Sequence, residues 1–322
     1  MVKLEEIAAA SGFSIPMVSR VLNPGPNCKA KIAQATRMKI RETAQRLGYR
    51  PNRTAEFLKR GRIPTIGVFL PHYRNSLVTD LVMGLSAAAS ELGFPLEYAF
   101  DTKYENYRKF LEETRGQCNC GLITYPHFML DAEAERLVNR YLDEGGKMVL
   151  VNAEDFMPQV PHVDIDDREG GRIAARALLD AGCEQIIGVN VSIPERFDVF
   201  REEAGDRLIC EVDEKEEELE RVVEICKKNH GKPLGIFVSA DRTAVHLHSL
   251  LMKAGILPGR DVRLLGYDDL FLTGCLSPAL TTISQPFVEV GRQAVRTLVD
   301  SIYGKPVQNV KLIPTLVRRE TL

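Results

Sequence analysis

The chain has 322 residues, 44% of them hydrophobic and 27% charged, with a net charge of −2. That length suits two or three domains of ordinary globular composition. No apolar run of about 18 residues indicates a membrane span, and the opening MVKLEEIAAASGF lacks the basic-then-apolar pattern of a secretory signal, so a cytoplasmic protein is expected. The near-neutral total hides an asymmetry: residues 1–62 hold 13 Lys and Arg against four Asp and Glu, leaving 29 basic against 40 acidic residues in the remainder. A basic head on an acidic body is the electrostatic footprint of a nucleic-acid-binding module joined to something else.

In the head, residues 3–11 (KLEEIAAAS) read as a short helix with Leu4, Ile7 and Ala8 on one face. Gly12 breaks it where a positive φ is wanted, Ser14 is placed to cap the next helix, and Pro16 suits its first turn. Val18, Val21 and Leu22 give that second helix a buried face. Two short helices joined by a turn with Gly form a helix-turn-helix; the alternative, a plain helical hairpin, leaves the charge asymmetry unexplained. A third helix is predicted over roughly 33–47, where Ile32, Ala35, Ile40, Ala44 and Leu47 recur at helical intervals and Gly48 ends the pattern. In YRPNRTAEFLKRGR, residues 49–62, Pro51 fits a first helical position, but a helix from Asn52 to Lys59 is too short to be stable alone in water.

From Thr65 onward strand-like and helix-like pieces alternate. Short apolar runs lie at 65–70, 96–100, 121–125, 148–152, 186–191, 234–238 and 262–266. Amphipathic segments lie at 77–92, 105–115, 131–144, 169–181, 215–228, 242–254 and 286–303. Repeated βα units predict parallel sheet with helices on both faces. The number of strands favours two Rossmann-like lobes, splitting near 160 and crossing back near the C-terminus, with a ligand cleft at the carboxyl ends of the strands. The first strand-turn, GVFLPHYRN, lacks G-x-G-x-x-G and G-x-x-x-x-G-K-[ST], so no dinucleotide or P-loop nucleotide site is supported. No nucleophile elbow is present; Ser239 and His246 are close in sequence without a third partner, so no enzyme and no cofactor are expected. The seven cysteines (Cys28, Cys118, Cys120, Cys183, Cys210, Cys226, Cys275) are scattered. They read as reduced thiols, and the lone pair Cys118/Cys120 lacks the further ligands of a zinc site.

The stretches IAAASGFSIPMVSRVLN, TRMKIRETAQRLGYRPNRTAEFLKRGR and TIGVFLP resemble the lactose-repressor (LacI/GalR-type) family of bacterial transcription regulators. VDIDDREGGRIAARALLDAG, FVSADRTAVHLHSLLMKAGILPGRDVRLLGYDDL, SPALTTISQPFVEVGRQAV and LVRRETL extend that resemblance to the end of the chain. It implies an all-α helix-turn-helix domain over 1–49, a hinge helix and linker over 50–63, and a two-lobed α/β, periplasmic-binding-protein-like effector and dimerisation domain over 64–322. It also implies a homodimer on palindromic operator DNA, with a small-molecule effector, a sugar being the candidate class. The dimer surface is expected on the effector lobes, including the helix 77–92, and without a heptad extension a tail-driven tetramer is not expected. The alternatives are a regulator with a degenerate effector site, answering to a protein partner or to nothing, and, less favoured, a solute-binding protein.

Residue by residue, the resemblance places Ser14, Ile15, Pro16, Ser19, Arg20 and Asn23 at the major groove. Arg20 is the side chain able to make a bidentate pair with guanine, while Ile15 and Pro16 can offer only apolar contact. Asn52, Arg53, Ala55, Leu58 and Lys59 fall on the hinge, with Leu58 as the minor-groove wedge. In the effector domain Arg196, Asp268, Asp166 and Asp241 match ligand positions. Each has a structural reading beside it: a salt bridge between lobes for Arg196, a cap on the turn after its strand for Asp268, and a cap on the helix near Arg242 for Asp241. The chain departs from the family pattern at several points. Lys3 stands where a capping residue is usual, the loop NPGPNCKAKIAQAT is about four residues longer, and Ala240 replaces an effector-binding Asn. Asp167 stands where Asn is common after Asp, and there is no tryptophan to stack on a sugar. The acidic run 211–220 reads as the solvated start of a helix.

Overall fold

The structure, a computed structural model, describes the chain apart from residues 1, 3, 23–31, 48–64, 73–75, 117–119, 127–131, 154–155, 192–193 and 230. The hinge prediction, the loop carrying Lys29 and Lys31, and the domain borders at 49/50 and 63/64 lie outside the described residues.

The head consists of α1 (Leu4–Ser11), α2 (Ile15–Leu22) and α3 (Gln34–Arg46). Gly12 turns the chain at φ +76°, and its N–H closes α1 on the Ala8 carbonyl at 3.0 Å. Ser14 stands at the N-cap position of α2, its carbonyl accepting from the Val18 N–H at 3.0 Å. Each helix gives two residues to one small core: Ile7 and Ala8, Val18 and Val21, Ile40 and Ala44. At roughly 1.5–3 kcal/mol for each fully buried Val or Ile, that core suffices to orient three short helices that would not persist separately.

The body has two lobes. The first contains β1 (Ile66–Leu70), β2 (Leu96–Phe100), β3 (Gly121–Thr124), β4 (Met148–Val151), β5 (His162–Ile165) and β11 (Val310–Leu312), in the order β11-β5-β4-β3-β1-β2 and parallel throughout. Helices α4 (Ser76–Leu92) and α11 (Phe287–Ile302) cover one face, and α5 (Tyr104–Gly116) and α6 (Ala132–Asp143) the other. Gly84 of α4 lies against the Val288 backbone, where an added Cβ would come within 1.9 Å of the carbonyl oxygen, so glycine permits the close crossing of α4 and α11.

The second lobe contains β6 (Gln185–Asn190), β7 (Leu208–Asp213), β8 (Leu234–Val238), β9 (Arg263–Asp268), β10 (Thr281–Ser284) and β12 (Thr315–Val317). Their order is β12-β10-β9-β8-β6-β7, parallel except that β12 runs antiparallel to β10. α7 (Asp167–Asp180) and α8 (Pro194–Ala204) pack on one face, α9 (Glu216–Lys228) and α10 (Asp241–Lys253) on the other.

The predicted split near 160 with one return is corrected to three passages between the lobes: at Asp166, at Gln285–Pro286 and at Ile313–Pro314. The Asp166 N–H donates to the Leu312 carbonyl at 2.8 Å, tying the first passage to the third. The predicted helices lie within a few residues of the observed ones. The helix Pro194–Ala204 and the strands at 162–165, 208–213, 281–284, 310–312 and 315–317 were not predicted: HVDI and TTIS are short and polar, LICEVD is a half-exposed edge strand, and VKL and TLV are three residues each. The acidic run divides between the end of β7 and α9, whose first turn carries Glu216, Glu217 and Glu218.

Candidate functional site

Two surfaces follow from this frame. On α2, Val18 and Val21 point inward, leaving Ser14, Ile15, Pro16 and Arg20 exposed and Ser19 half-buried. Ile15 is 46% exposed although isoleucine normally seeks a core. The outward side of α2 thus offers apolar surface at its start and a guanidinium one and a half turns later. Asn23, Asn52, Arg53, Ala55, Leu58 and Lys59 lie outside the described residues.

The second surface is the face where the lobe-to-lobe passages meet the carboxyl ends of the second lobe's strands. Arg196 of α8 is 2% exposed there. Its Nε and Nη2 both donate to Asp167 Oδ1, at 3.0 and 2.7 Å, and its Nη1 donates to the Ser239 carbonyl at 2.6 Å. The guanidinium carbon stacks 3.3 Å from the centroid of Tyr267, whose hydroxyl donates to the same Asp167 oxygen at 3.1 Å. A buried cation with three donated bonds and an aromatic face beneath it is compensated inside its own lobe. Burial pulls the Arg196 proton affinity down, but the neighbouring charges of Asp167 and Asp268 prevail and hold it above its ordinary value.

Glycines make this arrangement possible. A Cβ on Gly170 would meet the Tyr267 hydroxyl at 2.0 Å, and one on Gly171 would meet the Arg196 carbonyl at 2.0 Å. The sequence DREGG therefore places its acid at the start of α7 while letting α8 and Tyr267 approach to backbone distance.

Asp268 closes β9 and stands 3.9 Å from Arg196 Nη1. It accepts from Gln285 Nε2 at 2.6 Å and from the Asp241 backbone N–H. Burial pushes its carboxyl up to about 7, against the opposing pull of Arg196. The backbone there is unusual, with φ +124° at Asp268 and +57° at Asp269. Non-glycine residues held at positive φ cost about 1–3 kcal/mol each and cluster at functional sites.

The other two carboxylates fall elsewhere. Asp241 is fully buried at the first position of α10, where Oδ1 accepts from the Thr282 hydroxyl at 2.7 Å and Oδ2 from the Leu270 N–H at 2.9 Å. Burial pushes it up to about 6. It ties α10 to β10 and to the turn that follows β9, and is neither a helix cap nor turned outward. Asp166 caps α7, accepting from the Glu169 N–H at 2.9 Å. The carboxylate that joins Arg196 is its neighbour, Asp167. The salt bridge read as an alternative for Arg196 exists, but within the second lobe, since Asp167 begins a helix of that lobe.

The first lobe faces this cluster with Tyr125 after β3 and Asn152 after β4, the Asn152 amide donating to the Tyr125 hydroxyl at 3.4 Å. Desolvation pushes the Tyr125 phenol up to about 12, and the phenol feels the charges of Asp167, Arg196 and Asp268. Asp80 of α4 is raised by burial and by Asp269 of the opposite lobe. Asp167, Tyr267, Gln285, Tyr125 and Asn152 were not singled out from sequence; the doubled glycine after Asp167 and the tyrosine inside GYDD were the available signals. Among the described residues no cluster of His, Cys, Asp and Glu could hold a metal ion, and no helix is long and apolar enough to cross a membrane.

A helix-turn-helix head on a two-lobed, periplasmic-binding-protein-like core defines a DNA-binding regulator with an effector domain. Residues 3–52 match the family of bacterial regulatory proteins named for lacI, and residues 175–322 match the periplasmic binding protein-like domain. The chain belongs to the lacI family of bacterial regulatory proteins, a family of transcriptional regulators and not of enzymes. It is 27% identical to catabolite control protein A of Priestia megaterium, over 92% of this chain and 91% of that protein. It is 26% identical to the ribose operon repressor of Halalkalibacterium halodurans, over 100% and 97%. Among solved structures, a complex of the transcriptional regulator CelR with cellobiose superposes with a TM-score of 0.68 at 24% identity over 100% of both chains. The lac repressor dimer bound to operator and the anti-inducer ONPF gives 0.68 at 23% identity, over 99% and 98%. At these identities the likeness of the structures establishes the fold.

Proposed function

We propose that this regulator is a cytoplasmic repressor whose operator affinity is set by a small hydroxylated effector, a sugar being the candidate class, held between the two lobes. The observation that carries the reading is the convergence of Arg196, Asp167, Asp268 and Gln285 where the chain passes between lobes. A ligand bridging this cluster to Tyr125 changes how the lobes sit on each other. Two N–H groups of Arg196 remain beyond those committed to Asp167 and Ser239, and hydroxyls suit such fixed donors and acceptors. The proposed division is a DNA-binding domain over 1–49, a hinge over 50–63 and an effector and dimerisation domain over 64–322. Two copies on a palindromic operator would each present α2 to a half-site, Ser14, Ile15, Pro16, Ser19, Arg20 and Asn23 to the major groove, and the hinge with Asn52, Arg53, Ala55, Leu58 and Lys59 to the minor groove. Relatives support this: the lac repressor was solved as a dimer on operator, and CelR with cellobiose.

The test begins with operators selected from random duplexes. Arg20→Ala is expected to relax preference at one base pair per half-site, by about 1–3 kcal/mol, and Leu58→Ala to weaken binding and reduce bending. Unchanged preference and bending would remove the DNA assignments. Calorimetry against mono- and disaccharides, with operator release measured in parallel, tests the effector. One observation favours a second reading: Asp167 already occupies Arg196, and Ala240 lacks an amide. Operator affinity indifferent to every compound would support a regulator without a small-molecule effector.

A further inference from the structure

We infer that Asp167 is the specificity-determining residue of the second lobe: its Oδ2 accepts a hydroxyl of the effector, and Arg196 is a positioning residue behind it. This deepens the reading that the cleft binds an effector and rests on it.

The argument is one of hydrogen-bond capacity and exposure. Three donors converge on one oxygen of Asp167. Arg196 Nε and Nη2 reach Oδ1 at 3.0 and 2.7 Å, and the Tyr267 hydroxyl reaches it at 3.1 Å. That oxygen has no lone pair left for a fourth. Oδ2 takes no donor among the described residues, so the acceptor capacity that remains is on that side. Exposure divides the pair in the same way. The side chain of Asp167 is 25% exposed and that of Arg196 is 2% exposed. The guanidinium is covered further by the Tyr267 ring at 3.3 Å, and its Nη1 is spent on the Ser239 carbonyl at 2.6 Å. A molecule entering between the lobes therefore meets the carboxylate before the guanidinium. Across the cleft, the Tyr125 phenol feels the charge of Asp167 more than that of Arg196 or Asp268, which places the carboxylate on the side that the first lobe faces.

The bonds beneath Asp167 give the rest of the argument. Arg196 and Tyr267 fix the rotation of the carboxylate through Oδ1, and Gly170 and Gly171 let Tyr267 and α8 come close enough to do so. The other oxygen then points in a set direction before any ligand arrives, and such preorganisation lowers the cost of binding. A hydroxyl donating to an ionised carboxylate forms a charge-assisted bond, stronger than one between neutral groups. The substitution Asp167→Asn inverts this contact without changing its shape. An amide nitrogen cannot accept from Arg196, so the amide oxygen stays at the Oδ1 position and Nδ2 faces the cleft. An acceptor becomes a donor, and the orientation of the amide is not free to choose.

The experiment uses the full chain at pH 7, with glucose, galactose, mannose, ribose and cellobiose as probes. The uronates of the three hexoses, in which a carboxylate replaces the primary hydroxyl, are run beside them. In Asp167→Asn, shown to be folded by circular dichroism, the neutral sugar that binds the wild-type chain is expected to weaken at least about tenfold, the size of one charge-assisted hydrogen bond. The ratio of uronate to neutral affinity is expected to rise by a similar factor. The two chains differ in one group, so every other charge that faces the cleft cancels from that comparison. A second measurement needs no variant: deoxyfluoro and deoxy analogues of the same sugar are titrated into the wild-type chain. Fluorine cannot donate, so at one position the fluoro analogue is expected to lose as much affinity as the deoxy one. Wild-type affinity for the neutral sugar in Asp167→Asn, or fluoro analogues that all bind as tightly as the parent sugar, overturns the inference while leaving the cleft as an effector site. If no probe binds and operator affinity is unmoved, the inference falls together with the effector reading.

Discussion

The two lobes repeat one strand order: β2-β1-β3-β4-β5-β11 in the first corresponds to β7-β6-β8-β9-β10-β12 in the second. Yet their strand ends differ in chemistry. Among the described residues facing the cleft, the first lobe offers the phenol of Tyr125, the amide of Asn152 and the carboxylate of Asp80, whereas the second holds a buried arginine, three aspartates and a stacked tyrosine. The same topology therefore carries a buried charge cluster in one copy and, among the described residues of the other, a phenol and an amide with one acid. This is the general separation of fold from site, here within one chain.

The comparison is broken most directly at Arg196. Arg196→Ala leaves Asp167 and Asp268 without their cation, and losing one member of a buried pair costs about 3–5 kcal/mol. Thermal or urea unfolding should register a loss of that order. A loss below about 1 kcal/mol would mean that the second lobe does not depend on its charges. Packing should instead behave alike in both lobes. Gly171→Ala drives a Cβ against the Arg196 carbonyl and Gly84→Ala against the Val288 carbonyl, both backbone atoms that cannot step aside without moving a helix. Each should cost about 1–3 kcal/mol by overpacking, and a large difference between the two would show that the lobes are not packed equivalently.

Asp268 gives a smaller and pH-dependent effect. Its folded value of about 7 lies above the ordinary value of an aspartate carboxyl, about 4, so the folded state holds its proton more tightly. The resulting stability is fully present below about pH 4 and is lost as pH rises through 7. Arg196, Gln285 and the Asp241 backbone N–H face the group, and Asp241, itself raised to about 6, titrates beside it. Unfolding measured at pH 5 and pH 8 should show the wild-type chain losing on the order of 2 kcal/mol between them. Asp268→Asn should flatten most of that slope, the remainder belonging to Asp241. An unchanged slope would place the charge sensitivity elsewhere.

How much of this was legible in the sequence follows the same division. Helices α4 to α7 and α9 to α11 could be located because their apolar residues recur at helical intervals, and the head because Gly12, Ser14 and Pro16 punctuate it; α8 (Pro194–Ala204), which carries Arg196, was not read as a helix. The polar strands β5 and β10 were missed because they are four residues long and buried, so they show no alternation to read, and β7 because it is a half-exposed edge strand. Arg196 and Asp268 could be located through the family resemblance, and the structure brings them together. Asp166 and Asp167 could not be told apart, since adjacent residues differ by about 100° around a helix start and only three-dimensional packing decides which one faces α8. Asp241 looked like a ligand or a cap because sequence does not reveal that Gly266 leaves room for its carboxylate beneath β9.

The smallest expected effect lies on the first lobe. Tyr125→Phe removes a hydroxyl that accepts a long hydrogen bond from Asn152 and lies in the field of the opposing cluster. A single neutral hydrogen bond contributes about 0.5–1.5 kcal/mol, and at 3.4 Å this one belongs at the lower end. The ring itself keeps its packing beside Phe287, 6.4 Å away between centroids, so the hydrophobic contribution survives the substitution. Stability should therefore fall by less than about 1 kcal/mol by urea unfolding. If the hydroxyl helps the neutral face close over a ligand, its loss should show in ligand affinity and operator release while the unliganded chain unfolds almost as before. A stability loss as large as that of Arg196→Ala would mean that the two faces form one network without ligand, and the contrast between a charged, self-contained lobe and a neutral, closing one would have to be given up.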